Sequence, residues 1–276
     1  MFQKIKKRLL HYSWSLAYGD FDESIVFNGL SIDDLHFVNN PYENKWFADP
    51  FILEDGLDTI DLLVEEFDNV INRGRIAHLI VDKKTDKIVH CNIILDLPTH
   101  LSFPAIYRCN DKIYVHPENY KSGNSFIYEY DYLNDILINP VLVSNEALTD
   151  AVIVRKGDHY EMYSTLGENP NGGDLIIYRA DSFLGKYTKI SQQHFSHHSA
   201  RMAGSFIQTS IGEIRPAQLC DGAYGRAVLF YHRDKVVGRL SPWGLFDGLH
   251  TFNVYKSKFV IDLKKYDFPW IYRITK

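Results

Sequence analysis

Apolar and polar residues alternate along most of this chain in short runs, and the runs come in pairs. Residues 45–52 (KWFADPFI) are followed by 62–66 (LLVEE), and residues 102–107 (SFPAIY) by 112–115 (KIYV). Residues 149–154 (TDAVIV) are followed by 159–163 (HYEMY), 202–207 (MAGSFI) by 213–218 (EIRPAQ), and 250–254 (HTFNV) by 258–261 (KFVI). Period-two alternation over so few residues, bounded by Asn, Asp, Gly and Lys, predicts strands. Runs at residues 75–81, 126–130, 175–179 and 227–231 predict a third strand in successive units. The pair recurs about every 50 residues, the interval of a propeller blade. The expected architecture is all-β, a single five-bladed β-propeller over residues 1–276, with blades beginning near 46, 100, 148, 200 and 249. Helix should account for less than about a tenth of the chain, against a usual third.

A propeller closes its ring by combining N- and C-terminal strands in one blade. Residues 11–18 (HYSWSLAY) and 268–274 (FPWIYRI) are the expected halves of that closure. Residues 31–40 read as a loop leading to the first blade, and 167–174 (GENPNGGD) as a long turn. Residues 1–10 (MFQKIKKRLL) interleave four Lys or Arg with apolar side chains. They read first as a solvated start to the first strand. A second reading is a short basic segment making peripheral contact with the inner membrane.

Composition narrows the function. Aromatic residues reach 14%, with 18 Tyr and 17 Phe; they suit strands, and their flat apolar faces with polar tips suit sugars. A net charge of −5 gives no whole-domain electrostatic case for nucleic acid. Cys91, Cys109 and Cys220 show no metal-ligand spacing, and their odd number argues against a disulfide framework. No apolar run is long enough to span a membrane, and no secretory signal is visible. A cytoplasmic protein without metal or cofactor is the expectation.

In a propeller the innermost strand of each blade lines a central channel, so equivalent positions converge in space. Those positions are Asp49, Ser102 or Phe103, Asp150, Arg201 and His250. Two acids, an arginine and a histidine make a poor core and a reasonable polar pocket. Beside them stand His100, Glu118, Arg215, Gln218 and Tyr224, as candidates to bind substrate. Of Glu65 and Glu66, alternation lets only one face the channel.

The sequences WFADPF, HLSFP, HPE, TDA, RMAG, RPAQLC and YG, in a pattern spread from Trp46 to Asn253, carry a resemblance. The pattern resembles the five-bladed propellers of arabinanases, β-xylosidases, invertases and levansucrases. More specifically it is similar to the N-terminal domain of plant glucosamine inositolphosphorylceramide transferase and its relatives in bacterial surface-polysaccharide clusters. The resemblance implies a carbohydrate-active fold with Asp49 in the place of the hydrolases' blade-one aspartate. Hydrolysis needs a carboxylate pair including a proton donor, and here Glu118 or Glu213 would have to donate. A phosphate leaving group instead needs positive charge, which Arg201, Arg215 and His250 could supply while Asp49 or Asp150 deprotonates an acceptor hydroxyl. The leading expectation is therefore a glycosyltransferase of bacterial capsule or lipopolysaccharide assembly, with Asp49, Asp150 and Arg201 catalytic. Its partners would be a nucleotide sugar or other activated donor and a glycan acceptor. A glycoside hydrolase of the arabinanase or invertase type and a non-catalytic glycan-binding module are the alternatives.

Overall fold

The computed structural model of the protein describes residues 11–267. Among them, twenty strands form five four-stranded antiparallel sheets. Strands β1 (Tyr12–Asp20) and β2 (His36–Phe37) flank a short helix, α1 (Ser24–Asn28). The first blade is β3 (Lys45–Asp55), β4 (Thr59–Asp68), β5 (Arg73–Asp82) and β6 (Lys87–Leu95). The second is β7 (Ser102–Cys109), β8 (Lys112–Glu118), β9 (Ser125–Asp131) and β10 (Ile136–Ser144). The third is β11 (Leu148–Lys156), β12 (His159–Leu166), β13 (Asp174–Ala180) and β14 (Thr188–His194). The fourth is β15 (Ile207–Thr209), β16 (Gly212–Leu219), β17 (Ala227–His232) and β18 (Lys235–Leu240). In the fifth, β19 (Phe252–Tyr255) and β20 (Lys258–Tyr266) are joined by β1 and β2.

The fold is the five-bladed propeller that the repeat predicts, and α1 is its only α-helix among the described residues. The ring closes where β1 pairs with β20, in register from Tyr12↔Tyr266 to Asp20↔Lys258. The C-terminal half of the closure is thus β20, and residues 268–274 and the basic segment 1–10 lie outside the described residues. Residues 31–40 hold more than a loop: a 3₁₀ turn at Ile32–Asp34, capped by Ser31, and then β2. A two-residue strand is too short to show alternation. No helix among the described residues is long and apolar enough to cross a membrane.

Adjacent blades press apolar faces together. Phe51, Leu63, Phe103, Val115, Val152 and Ala217 belong to one buried cluster that spans four blades. Phe230, Phe252, Phe259 and Ile261 form part of another, between the fourth and fifth. Each such large side chain contributes about 1.5–3 kcal/mol when fully buried.

The innermost strands carry the feature that builds the site. In β3, β7 and β11 the pairing shifts register at an equivalent place, between Ala48 and Phe51, Ser102 and Ala105, and Thr149 and Val152, with a second shift in β3 between Ile52 and Glu54. At each bulge one residue takes a left-handed backbone: Asp49 (φ 49), Phe103 (φ 44) and Asp150 (φ 47). Such conformations are costly for a residue with a Cβ and persist only where the surroundings impose them. Each bulge takes its backbone N–H out of the ladder, and each N–H finds a buried carboxylate.

Candidate functional site

Those carboxylates link the blades. Asp49 N–H donates to Asp262 Oδ2 of β20 at 2.9 Å, and Phe103 N–H donates to Asp49 Oδ2 at 3.2 Å. Asp150 N–H donates to Glu118 Oε2 at 3.0 Å. Asp262 also accepts the His250 and Thr251 amides, each at 3.1 Å, and the His250 ring at 2.6 Å from Nδ1. His250 turns its other nitrogen toward Asp49, with Nε2 3.7 Å from Oδ1, while the Thr251 hydroxyl donates to that oxygen at 2.8 Å. Asp49, His250 and Asp262 bring three donor atoms within 4.8 Å of one another. Because Asp262 accepts three backbone N–H groups besides the His250 ring, and all three residues are buried, the trio suits a proton relay better than a cation.

On the other side of the channel, Arg201 Nε donates to Asp150 Oδ2 at 2.6 Å, and Nη2 to Asp150 Oδ1 at 3.2 Å and Glu118 Oε2 at 3.0 Å. Its third arm, Nη1, donates to Asn171 Oδ1 at 3.1 Å. Gln218 adds a bond from Nε2 to Asp150 Oδ2 at 2.6 Å. The guanidinium lies 5.3 Å from the centre of the Tyr224 ring.

Burial sets these acids apart. Desolvation raises Asp49 to about 6, with His250 pulling down and Asp150 pushing up. Desolvation also holds Glu65 well above the usual carboxylate range, helped by the charges of Asp49 and Glu118. Glu118 is raised by burial and by Asp150, against the pull of Arg201. For Asp150 burial pushes up, but the charge and hydrogen bonds of Arg201 outweigh it and the carboxyl is lowered. Burial opposes protonation of His250, yet the charges of Asp262 and Asp49 raise it overall.

Over this floor opens a cleft of about 310 Å³, walled by Tyr12, Trp14, Trp46, Phe67 and Tyr224, with Glu65, His100 and His250 beneath. Trp46 stacks on Phe67 at 4.5 Å between ring centres and Trp14 on His250 at 3.9 Å, so two indoles are held rigid at the wall. His100 Nδ1 accepts the Gly74 N–H at 3.0 Å, which leaves the proton on Nε2, 3.3 Å from Glu65 Oε1. Burial lowers the imidazole to about 4, so it is neutral. That contact is off the hydrogen-bonding direction, and Glu65 Oε1 is buried without a partner. Gly74 permits the approach: a Cβ there would stand 2.4 Å from Leu101 O and 2.6 Å from Glu65 Oε1. Gly225 (φ +62) does the same for His250, whose Cβ would lie 2.9 Å from an added methyl.

The structure therefore brings together Asp49, Asp150, Arg201, His250, Glu118, Gln218, Tyr224 and His100. At the second-blade position Phe103, not Ser102, occupies the bulge. Arg215 is the correction. It lies three positions from Gln218 on β16, hence on the opposite face. Its guanidinium sits between Phe195 and Tyr231, 4.2 and 4.6 Å from the ring centres, and donates to Ala200 O and Ser199 O. Glu213, considered as a proton donor, is paired with Lys156 away from the site. Of the two blade-one glutamates, Glu65 faces the channel and Glu66 pairs with Lys45 and Arg75. Asp262 and Trp14 escaped the sequence reading. A lone acid inside the apolar run 259–263 was the signal for Asp262, since an acid in a buried strand needs a partner.

A family model described as "Glucosamine inositolphosphorylceramide transferase 1, N-terminal" matches residues 33–239. The rice (Oryza sativa subsp. japonica) glucosamine inositolphosphorylceramide transferase 1 is 25% identical over 205 residues, covering 71% of this chain and 27% of the rice protein. The chain thus spans about a quarter of the length of that curated relative. Among solved structures, the α-L-arabinofuranosidase of Podospora anserina, in complex with cellotriose, superposes with a TM-score of 0.58 at 10% identity, covering 78% of each chain. An exo-β-1,3-galactanase of Clostridium thermocellum gives 0.51 at 13% identity, covering 87% of this chain and 61% of the galactanase. At these identities the likeness to the two hydrolases is one of fold.

Proposed function

The chain belongs to the family of the N-terminal domain of glucosamine inositolphosphorylceramide transferase 1, and from that premise we propose that it transfers sugars. It holds a glycan acceptor in the aromatic cleft and receives a sugar from a nucleotide sugar or other activated donor. The observation that carries this reading is Asp49: a buried carboxyl raised to about 6, just behind the cleft, 3.7 Å from the ring of His250, which lines the cleft and is held by Asp262. Such a group is ionised near neutral pH yet basic enough to take the proton of an acceptor hydroxyl. A phosphate leaving group needs little protonation and benefits from nearby positive charge. His250 supplies it, whereas every arm of Arg201 is committed to Asp150, Glu118 and Asn171, so Arg201 acts as a positioning residue for Asp150 and Glu118. The setting we propose is assembly of a bacterial surface polysaccharide, capsule or lipopolysaccharide, on the cytoplasmic side, where activated sugars are available.

A second reading, glycoside hydrolysis, is favoured by one observation. Glu65 is a raised carboxyl with an unpartnered oxygen at the cleft, and a neutral acid near an ionised one is what glycosidases require. The deciding experiment incubates the protein with a panel of nucleotide sugars, with and without oligosaccharide acceptors, and follows nucleotide release. Acceptor-dependent release, lost in Asp49→Asn, is the expected result. Cleavage of aryl glycosides without nucleotide-sugar turnover would shift the assignment to hydrolysis. Oligosaccharide binding with neither activity would make the domain a glycan-binding module for catalysis located elsewhere.

A further inference from the structure

We propose that the junction of the first and second blades is a divalent-metal site of the zinc type, formed by His78, His90 and Asp135. It stands apart from the channel and from the sugar-transfer reading.

The sheet register assembles it. His78 on β5 pairs directly with Asn92 on β6, and His90 lies two residues along β6, so all three occupy one face of the first blade. From the second blade, Asp135 reaches over in the turn between β9 and β10, held in a left-handed conformation (φ 50). His78 Nδ1 lies 3.0 Å from Asp135 Oδ1, and His90 Nε2 lies 3.1 Å from Oδ2. Around a tetrahedral zinc ion with bonds of about 2.0 Å, neighbouring donor atoms stand about 3.3 Å apart. Both imidazole-to-carboxylate contacts are therefore close to that spacing, one to each oxygen, and one ligand atom from each of the three residues lies within 4.8 Å of the others.

The surroundings orient these donors as a metal site requires. Asn92 Nδ2 donates to Asp135 Oδ2 at 3.0 Å and to its backbone O at 2.8 Å, and the Tyr130 hydroxyl donates to Oδ1 at 2.6 Å. These bonds fix the carboxylate. His78 is buried, and its Nε2 has no hydrogen-bond partner but lies 3.9 Å from Asp61 Oδ2. With Nδ1 on the ion, Nε2 carries the proton and turns it toward a carboxylate, the arrangement that fixes a ligating imidazole and raises its basicity. The His90 side chain is 45% exposed, which gives an ion a path in and leaves room for water as a fourth ligand.

The test uses the full chain after treatment with chelator. Zinc is titrated by calorimetry, and melting is followed with zinc, with magnesium and with chelator alone. The expected result is one tightly bound zinc and a melting temperature raised by several degrees with zinc but not magnesium. His90→Ala, at a half-exposed position, should fold normally without zinc and lose at least about tenfold in affinity. Asn92→Ala should lose about tenfold as well, through the loosened carboxylate. Absence of zinc binding overturns the proposal and leaves an inter-blade cluster of hydrogen bonds. Binding that persists unchanged in His90→Ala also overturns it, by placing the ion on other histidines.

Discussion

Asp150 and Asp49 sit at equivalent bulges of two blades, in the same left-handed conformation, yet they are surrounded differently. Around Asp150 a guanidinium, a glutamine amide and Glu118 close in, and the carboxyl is lowered. Around Asp49 stand a threonine hydroxyl, one backbone amide and an imidazole edge at 3.7 Å, and the carboxyl is raised to about 6. The same backbone device thus yields one carboxylate with its charge compensated and one poised to exchange a proton. Acid–base roles commonly belong to groups whose surroundings drive their pKa values apart. The Asp150 side is read here as scaffold and the Asp49 side as the reacting half.

The contrast breaks most visibly at Asp49. Asp49→Asn should keep the Thr251 hydroxyl bond, fold without loss of stability at neutral pH, where the buried charge is removed, and lower transfer about 10²–10⁴-fold, the usual contribution of a general base. A variant with near-normal turnover would remove Asp49 from the reacting half.

Arg201→Ala tests the other half. It leaves Asp150 and Glu118 buried without their cation and should cost about 3–5 kcal/mol of stability in urea unfolding. Arg201→Lys should recover only part, because one ammonium cannot replace the forked contact. Unchanged stability with lost turnover would make Arg201 a reacting residue and erase the distinction.

The two halves should also differ in sign with pH. Between the ordinary 3.8 and about 6, folded Asp49 keeps a proton that the unfolded chain has released. This group therefore takes stability away as pH rises through that window, by about 3 kcal/mol at most. Asp150 is lowered, so its contribution is present above the ordinary value and is lost as pH falls through its folded pKa. Unfolding free energies measured from pH 3 to 8, compared with those of Asp49→Asn, should show the fall with rising pH reduced by the share of Asp49, while the shares of the raised Glu65 and Glu118 and the acid-side loss remain. Transfer should rise with pH through about 6 in the wild type, as Asp49 ionises.

The smallest expected effect is at the wall. Trp46→Ala removes one stacking face and should weaken oligosaccharide affinity about two- to tenfold, with the pH profile unchanged. A change in the profile instead would mean that the wall and the acids are not separable.

Local alternation determined the propeller: side chains on a strand repeat every second residue, and five such pairs at near-equal spacing admit few other folds. Equivalence between repeats likewise singled out Asp49, Asp150, Arg201 and His250 as neighbours, because a ring maps sequence period onto a common axis. Which of two adjacent or near-adjacent residues turns inward was not legible, since it depends on how each sheet packs against the next. That is why Glu65 rather than Glu66, and Gln218 rather than Arg215, reach the channel. Tertiary structure alone chose partners across the ring: Arg201 could have met either aspartate, and the bulges, with their backbone N–H groups aimed at the preceding blade, assigned it to Asp150. It also brought Asp262, whose run 259–263 is otherwise apolar, behind His250. Charge state followed from those choices, because a buried carboxyl rises or falls according to the cation it meets, and that meeting is a property of the folded ring.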